Sequence, residues 1–334
     1  MTTPYAIRHI TRFTYTSPVS ESVMELRMRS ATDGPQRCLQ FEVEVSPRAR
    51  VFAYRDFLGN WVHHFDIPRR HAELQITARA QVQVDASAPL PERLPESAWT
   101  AVDGWDATGD HWDFRQPSHF ATWSPALLAF VESLGPVATR QADPLATVRA
   151  LMNAVHGGFE YAPNSTRVDS PIDEALAARR GVCQDFTHVM LAALRRLGLP
   201  CRYVSGYIAP RASADGPAES GIATHAWLEV LLPELGWVGF DPTHNVTAAE
   251  RHVRVAIGRD YADVPPTRGT FKGTTSSTLE VSVEVTAAET LPTIDRAVIE
   301  ATWSAEAAAP VEDERERQMQ QQQQTLVQRL AARA

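Results

Sequence analysis

The sequence predicts an α+β fold in which an N-terminal antiparallel β-sandwich precedes an α+β core. Three observations support this prediction. Apolar and polar residues alternate over residues 5–84, the composition changes at residues 85–97, and helical spacing after residue 124 gives way to apolar strand segments after residue 201. Alternation with period two is typical of half-buried strands, whereas apolar residues three and four apart are typical of amphipathic helices.

The alternating region predicts several strands and a hairpin. Residues 56–61 combine Asp, Gly and Asn with apolar flanks, which is the composition of a hairpin turn. Strand faces are predicted for Tyr5, Ile7, His9, Thr11, Phe13 and Tyr15, for Phe41, Val43 and Val45, and for Leu74, Ile76, Ala78, Ala80, Val82 and Val84. Sheets with one apolar face bury that face by packing together, so we predict a sandwich.

Two domains and a tail are predicted from the changes in composition. Residues 85–97 are rich in Ala, Ser, Pro and Glu, which indicates a linker. We therefore predict a β domain at residues 1–88, a core at residues 89–287 and a polar Gln-rich tail at residues 288–334. The tail is low in apolar residues and is assigned no chemistry.

Helix and strand signals order the core. Ser124 before Pro125, and Asp143 before Pro144, are helix-start signals because Pro is well tolerated at the first helical position. Further helices are predicted at residues 172–179 and from Cys183 to about Leu197, where Gly198 ends the helix, and strands are predicted at residues 201–208, 223–232 and 236–240.

Composition and charge limit the classes of partner. The 334 residues are 44% hydrophobic and 22% charged, as in a globular chain of about two domains. A net charge of -8 supplies no basic field for nucleic acid or an anionic membrane, so neither is an expected partner. The N-terminal residues show no apolar run like that of a signal peptide, and no stretch approaches a membrane span, so we predict a cytoplasmic protein.

The cysteine pattern predicts reduced thiols, and since the sequence also has no Asp-rich loop of the calcium-binding type, we expect no metal or other cofactor. Cys38, Cys183 and Cys201 form no CxxC pair and no Cys/His spacing typical of zinc. Cys38 and Cys201 are expected to be small buried hydrophobic residues.

Cys183 has the sequence context of an activated nucleophile. Gly181 lets the backbone turn sharply into a helix, and the apolar residues after Cys183 recur at helical spacing. A free thiol is a poor nucleophile at neutral pH, and the positive end of a helix dipole favours its thiolate. The unpaired N–H groups of a helix start can also stabilise an oxyanion.

His225 and Asp241 are predicted to meet across a hairpin. In an antiparallel pair centred on Pro233, His225 would lie directly opposite Asp241, close enough for a hydrogen bond from the imidazole to the carboxylate. The second imidazole nitrogen would then face Cys183, and the same register would place Trp227 opposite Gly239. Singly, each residue has a structural interpretation, but the three together favour nucleophile, base and orienting acid.

Three motifs resemble the bacterial transglutaminase-like superfamily. They are Gly-Val-Cys-Gln-Asp-Phe at residues 181–186, Thr-His-Ala-Trp at residues 224–227 and Gly-Phe-Asp-Pro-Thr at residues 239–243. Residues 5–84 resemble the β-rich domain that precedes this core in many bacterial members, and residues 252–264 resemble the segment after the Asp. The resemblance covers about residues 4–287 and implies a papain-like core.

This resemblance implies roles for specific residues. Cys183 would be the nucleophile, His225 the general base and acid, and Asp241 the residue that orients His225. Candidate substrate-binding or supporting residues are Gln184, Asp185, Tyr161, Trp227, Asp260 and Tyr261. Tyr161 is a candidate for an extra oxyanion donor. For Gln184 and Asp185, hydrogen bonding at the helix start is an equal alternative to a role in substrate binding. His188 and His244 are interpreted as supporting or surface residues, and residues 209–221 as an exposed loop or a lid.

The resemblance leaves the reaction open. An acyl-enzyme formed at Cys183 from a peptide or amide bond would pass to an amine in transamidation or to water in hydrolysis. The alternatives are a cysteine peptidase or amidase that acts only by hydrolysis, and a non-catalytic binding module that retains the fold.

Overall fold

The computed structural model describes residues 2–109, 111–210 and 224–287. The predicted Gln-rich tail and residues 211–221 of the proposed lid loop lie outside the described residues. In the part of the chain that is described, no helix is both long and apolar enough to cross a membrane.

The described elements follow the predicted order of strands, helices and strands. Six strands open the chain: β1 (Thr2–Val19), β2 (Glu21–Leu26), β3 (Gln36–Ser46), β4 (Phe52–Arg55), β5 (Trp61–Ile67) and β6 (His71–Asp85). The helical region contains α1 (Ala98–Thr108), α2 (Pro125–Ser133), α3 (Pro144–Gly158), strand β7 (Glu160–Tyr161), α4 (Ile172–Ala178), strand β8 (Arg180–Gly181) and α5 (Cys183–Arg196). The last strands are β9 (Cys201–Ile208), β10 (Thr224–Leu232), β11 (Gly236–Asp241), β12 (Val246–Thr247), β13 (His252–Gly258), β14 (Thr267–Lys272) and β15 (Ser277–Ala287), and short 3₁₀ turns lie at Trp112–Phe114, Gly135–Ala138 and Tyr261–Asp263.

The six N-terminal strands, together with β14 and β15, form two antiparallel four-stranded sheets that pack into a sandwich. Their strand orders are β15-β1-β6-β3 and β14-β2-β5-β4. Leu74 and Ile76 on β6 share one apolar core with Leu26 on β2 and Phe65 on β5, and all four side chains are buried. The predicted β-sandwich is therefore confirmed.

Two strands from the end of the described chain complete these sheets. The sequence-based boundaries grouped residues 267–287 with the core, but strand β14 pairs with β2 and strand β15 pairs with β1. A boundary drawn from composition cannot detect this return, because strand pairing depends on contacts distant in sequence.

The core is a five-stranded sheet, of order β12-β11-β10-β9-β13, with α5 packed on one face. Ser124 and Asp143 cap the two helices that the sequence predicts after them. Ser124 Oγ accepts a hydrogen bond from Leu127 N at 3.2 Å, and Asp143 Oδ1 accepts one from Ala146 N at 3.0 Å. α5 ends before Gly198, which has a positive φ of 88°. α5 is buried over most of its length and so fixes the position of Cys183.

Candidate active site

Local packing around Gly181 places Cys183 at the first position of α5. Asp185 Oδ2 accepts hydrogen bonds from Val182 N at 2.8 Å and from Thr166 Oγ1 at 2.6 Å, which caps the helix start. A Cβ at Gly181 would lie 2.7 Å from the Cβ of Asp185, so only glycine allows this close approach. Asp185 therefore supports the helix that carries the candidate nucleophile.

Gln184 and Tyr161 flank the same helix start. Gln184 is buried, and its Nε2 donates to Val168 O at 3.0 Å, which ties the preceding loop to α5. Tyr161 lies on β7, pairs with Gly181 on β8, and keeps 47% of its surface exposed. Burial, and then the charge of a neighbouring Cys183 thiolate, raise the pKa of Tyr161. Tyr161 is therefore beside the thiol, at the mouth of the site.

His225 connects Cys183 to Asp241. Its Nε2 lies 2.7 Å from Asp241 Oδ2, and Cys183 lies close enough to the imidazole to help raise the pKa of His225. Since Nε2 faces the carboxylate, Nδ1 is the nitrogen available to the thiol. The structure thus brings together the three residues predicted from the sequence.

The predicted hairpin register is wrong by two residues, although His225 and Asp241 do meet. Leu228 pairs with Phe240, and continuing this register places Trp227, rather than His225, opposite Asp241. His225 and Asp241 are diagonal neighbours on the same sheet face, a separation that an imidazole can bridge. The shift arises because the hairpin turn contains three residues, 233–235, and so is centred on residue 234 instead of residue 233.

Asp241 accepts hydrogen bonds from three histidines and two backbone amides. His244 Nδ1 and His252 Nε2 lie 2.8 and 3.1 Å from Oδ2, the oxygen that also contacts His225. Oδ1 accepts from the backbone N–H groups of Thr243 and His244 at 3.0 and 3.2 Å. The carboxylate is fully buried, so these donors replace water and fix its orientation.

The hydrogen bonds favour the charged forms of both His225 and Asp241. Burial alone would lower the pKa of His225, but the hydrogen bond to Asp241, the Asp241 charge and the contact with Cys183 outweigh it and raise the pKa to about 10. Burial also opposes ionisation of Asp241, yet the hydrogen bonds from His225, His244 and His252 hold its pKa well below its usual range. At neutral pH His225 therefore carries a proton that it can give to a leaving group.

The donor arrangement of His225, Asp241 and His252 favours hydrogen bonding over metal binding. Their ligand atoms lie within 4.8 Å of one another, as a shared ion would require. However, His252 Nδ1 accepts from Ala249 N at 3.2 Å, so Nε2 carries the proton that is directed at Asp241. A metal ion at Nε2 would move that proton to Nδ1, where it would face the Ala249 N–H.

Trp227 packs behind the imidazole of His225. The two rings are stacked at 24° with centroids 6.1 Å apart, and Trp227 is buried. Gly206 makes room for the indole, because a Cβ there would lie 2.6 Å from Trp227 Cη2. Trp227 therefore supports His225 from the sheet and fixes the plane of its ring.

Asp260 and Tyr261 are held by hydrogen bonds to backbone N–H groups and to His188. Asp260 is buried, and its oxygens accept from Phe120 N at 2.7 Å and Ala262 N at 2.9 Å. Tyr261 N donates to His188 Nε2 at 3.2 Å, and burial raises the pKa of Tyr261 to about 12. His188 is buried in α5, not on the surface. These contacts order the chain after β13.

Sequence reasoning missed His252 and underestimated His244 as partners of Asp241. His252 lies in the segment already noted for its family resemblance, which was the one available signal. Its position depends on the connection from β12 to β13, in which Ala248 N donates to Gly239 O and Ala248 packs against Gly239. Local pattern does not predict where such a connection runs.

Comparisons with known proteins agree with this fold. Residues 134–242 match the model of the transglutaminase-like superfamily, and residues 5–83 match that of the bacterial transglutaminase-like N-terminal region. A solved structure from Cytophaga hutchinsonii, named as a candidate cysteine protease, has a TM-score of 0.66 at 21% identity and covers 88% of this chain and 93% of its own. This likeness shows the fold.

Two curated relatives extend the comparison. An uncharacterized protein of Mycobacterium leprae is 32% identical over 279 residues, which is 83% of this chain and 96% of that protein. A protein-glutamine gamma-glutamyltransferase of Pseudomonas aeruginosa is 32% identical over 145 residues, which is 40% of this chain but 21% of that protein. With both parts of the chain matched and the motif residues assembled at one site, the chain belongs to the transglutaminase-like superfamily.

Proposed function

We propose that the protein is a thiol enzyme that forms an acyl-enzyme at Cys183 from a peptide or amide bond and passes the acyl group to an amine or to water. The observation that carries the proposal is the position of His225, which contacts Cys183 and donates to the buried Asp241 at 2.7 Å. This is the arrangement of a nucleophile, an acid–base residue and an orienting carboxylate.

Each step uses a group already in place. The Cys183 thiolate attacks the carbonyl carbon, and the C–N bond then breaks as His225 gives its proton to the departing amine or ammonia. The thioester that remains is attacked by an amine or water, which loses its proton to His225, and the thiolate leaves. Asp241 stays ionised throughout and stabilises the imidazolium.

The start of α5 supplies donors for the oxyanion. The N–H groups of Cys183 and Gln184 have no acceptor within the described residues, as expected for the first helical positions. Such amides stabilise the negative charge of a tetrahedral intermediate. Tyr161, beside the thiol, is a candidate for a further donor.

A peptidase or amidase that only hydrolyses is the second candidate function. It is favoured by the exposure of Tyr161 and Val168, each 47% exposed, beside the helix start. An open site admits water, which competes with an amine for the thioester.

One experiment tests the chemistry and separates the two candidates. The wild type, Cys183→Ala and His225→Gln are incubated with a blocked glutamine dipeptide, with and without a primary amine, and ammonia release and product mass are recorded. Transamidation gives an amine adduct, whereas hydrolysis gives the acid alone at any amine concentration. A Cys183→Ala variant that retains full activity would overturn the proposal, whereas no turnover by the wild type with either acceptor would favour a binding module.

We also propose the cytoplasm as the location of the protein. Cys38, Cys183 and Cys201 are all free thiols, which suits a reducing compartment. Fractionation of cells that express the full chain tests this, and recovery outside the cytoplasmic fraction would contradict it.

A further inference from the structure

A cavity lies beside the candidate active site. Its volume is about 420 Å³, and its wall includes Trp227 and Glu229 on β10 and Trp237 on β11. Leu228, Val230 and Leu232, which alternate with these residues along β10, belong to the core that includes α5. The cavity is therefore on the face of the core sheet opposite α5, where residues 33–36, 84, 87, 88 and 90 of the N-terminal region also line it.

The buried charges of this cavity are unbalanced. Glu229 is 10% exposed and sits between two guanidinium groups: Arg254 Nη1 lies 2.9 Å from its Oε1, and Arg202 Nε lies 2.6 Å from its Oε2. Arg202 and Arg254 are 10% and 15% exposed, so two buried cations face one buried carboxylate. The interior thus has an excess positive charge in a region of low dielectric.

The balancing carboxylate is at the mouth of the cavity. Asp33 Oδ2 lies 2.6 Å from Arg254 Nη2, yet the Asp33 side chain is 69% exposed. An exposed carboxylate gains little from such a pair and is replaceable by another anion. Arg254 Nη2 therefore offers a charged donor to any carboxylate that enters.

The rest of the lining suits an apolar body. Trp227, Trp237, Val238 and Leu90 line the cavity, and the Arg202 guanidinium stacks over the Trp237 ring at 4.2 Å. Apolar and aromatic walls with a few placed polar groups are typical of sites for small ligands, and 300–1,000 Å³ is roughly their usual volume.

We propose that this cavity binds a small organic carboxylate whose apolar or aromatic body lies against the two indoles. Its carboxylate replaces Asp33 at Arg254 Nη2, and no covalent step is involved. The occupant would contact His252 and Trp227, which line the cavity and also contact Asp241 and His225, so the cavity is placed to influence the candidate active site.

The test compares three probes of one shape by titration calorimetry: 3-phenylpropionate, its neutral amide, and 3-phenylpropylamine. The full-length protein is first alkylated at Cys183, so that occupancy of the thiol site does not contribute. We expect the carboxylate to bind about tenfold more tightly than the amide, since one charge-assisted hydrogen bond is lost, and the amine to bind least.

Two variants locate the binding. Asp33→Asn should tighten carboxylate binding several-fold, because the competing anion is removed, whereas Arg254→Gln should weaken it by about tenfold or more. Arg12→Gln, which removes an exposed arginine from a pair with Glu280, is the matched control and should leave binding unchanged.

Three outcomes would overturn the proposal: no binding of the carboxylate at millimolar concentration, equal binding of carboxylate and amide, or weaker carboxylate binding in Asp33→Asn. If Arg254→Gln fails to fold, carboxylate binding by Asp33→Asn still decides the test. None of these outcomes bears on acyl transfer at Cys183.

Discussion

His225 and Asp241 hydrogen-bond along a diagonal of the β10–β11 pair, at 2.7 Å between Nε2 and Oδ2. Because His225 approaches Oδ2 diagonally, His244 and His252 can also reach this oxygen. Both of these histidines lie in the chain that follows β11. Directly opposed side chains would be closer together and would crowd these donors. Asp241 therefore acts as the shared acceptor of a histidine cluster, and the hydrogen bonds from these histidines stabilise its ionised form.

Asp241→Asn should reduce kcat by about 10³- to 10⁴-fold at neutral pH with the fold retained. An amide presents N–H donors on one side, so it cannot accept from all five of the present donors. His225 is then free to adopt the other tautomer, which is not directed at Cys183. Turnover of the blocked dipeptide and circular dichroism spectra check this, and near wild-type turnover would contradict the assigned role.

His252→Leu should reduce kcat by about ten- to a hundredfold, while His252→Gln should recover part of that loss. The Nε2–H of His252 donates to a buried carboxylate, and losing a hydrogen bond to a charged group costs about 1.5–3 kcal/mol. A glutamine amide can donate from a similar position, whereas leucine cannot. Equal rates for the two variants would show that His252 contributes only packing.

Tyr161→Phe should lower kcat about tenfold and leave KM nearly unchanged, if the hydroxyl stabilises the oxyanion. A group that acts only in the transition state affects kcat without affecting substrate binding. Steady-state kinetics of the purified variant separate the two constants. A raised KM with unchanged kcat would instead assign Tyr161 to substrate binding.

Gly206→Ala should destabilise the protein by about 1–3 kcal/mol or more. The new Cβ would lie 2.3 Å from Val253 O and 2.6 Å from Trp227 Cη2, so the backbone or the indole behind His225 must move. Gly104→Ala in α1 is the matched control, because no atom lies within 4 Å of its added Cβ, and it should stabilise by about 0.5–1 kcal/mol. Urea unfolding measures both changes, and a neutral Gly206→Ala would refute the tight packing.

The free energy of unfolding should decrease on both sides of about pH 6.5. The pKa of His225 is raised from 6.5 to about 10, so the folded protein keeps a proton that the unfolded chain releases, and stability falls as pH rises through this interval. Burial lowers the pKa of His9 to about 4 and that of His188 to about 3, so the unfolded chain takes up protons first and stability falls as pH decreases below 6.5.

Variants separate the two sides of this profile. His225→Gln should flatten the alkaline side and leave the acid side unchanged, whereas His9→Asn should flatten part of the acid side alone. Urea unfolding at several pH values gives the slopes. An alkaline slope that survives in His225→Gln would mean that another group is responsible.

Local signals predicted most of the elements and the three central site residues. Ser124, Asp143 and Gly198 begin or end helices through contacts with their near neighbours, so their roles are visible in the sequence. Cys183 and His225 were found in the same way, from a helix start and a strand motif.

What the sequence could not predict depends on contacts between distant segments. The hairpin register depended on whether the turn is centred on residue 233 or 234, and composition does not distinguish these. His252 contacts Asp241 only because the chain after β12 returns across the sheet. The roles of Gln184, Asp185, Asp260 and Tyr261 in binding substrate stay predictions, although hydrogen bonds now account for the placement of each.

The return of β14 and β15 to the N-terminal sheets makes the core an insertion within the β-sandwich, connected to it at both ends. Residues 1–88 expressed alone would leave β1 and β2 with open edges, which favour aggregation. During synthesis, neither sheet can be completed until the whole core has emerged from the ribosome. The sandwich can therefore be completed only after the core has been synthesised, so any released chain with a complete sandwich already contains the candidate site.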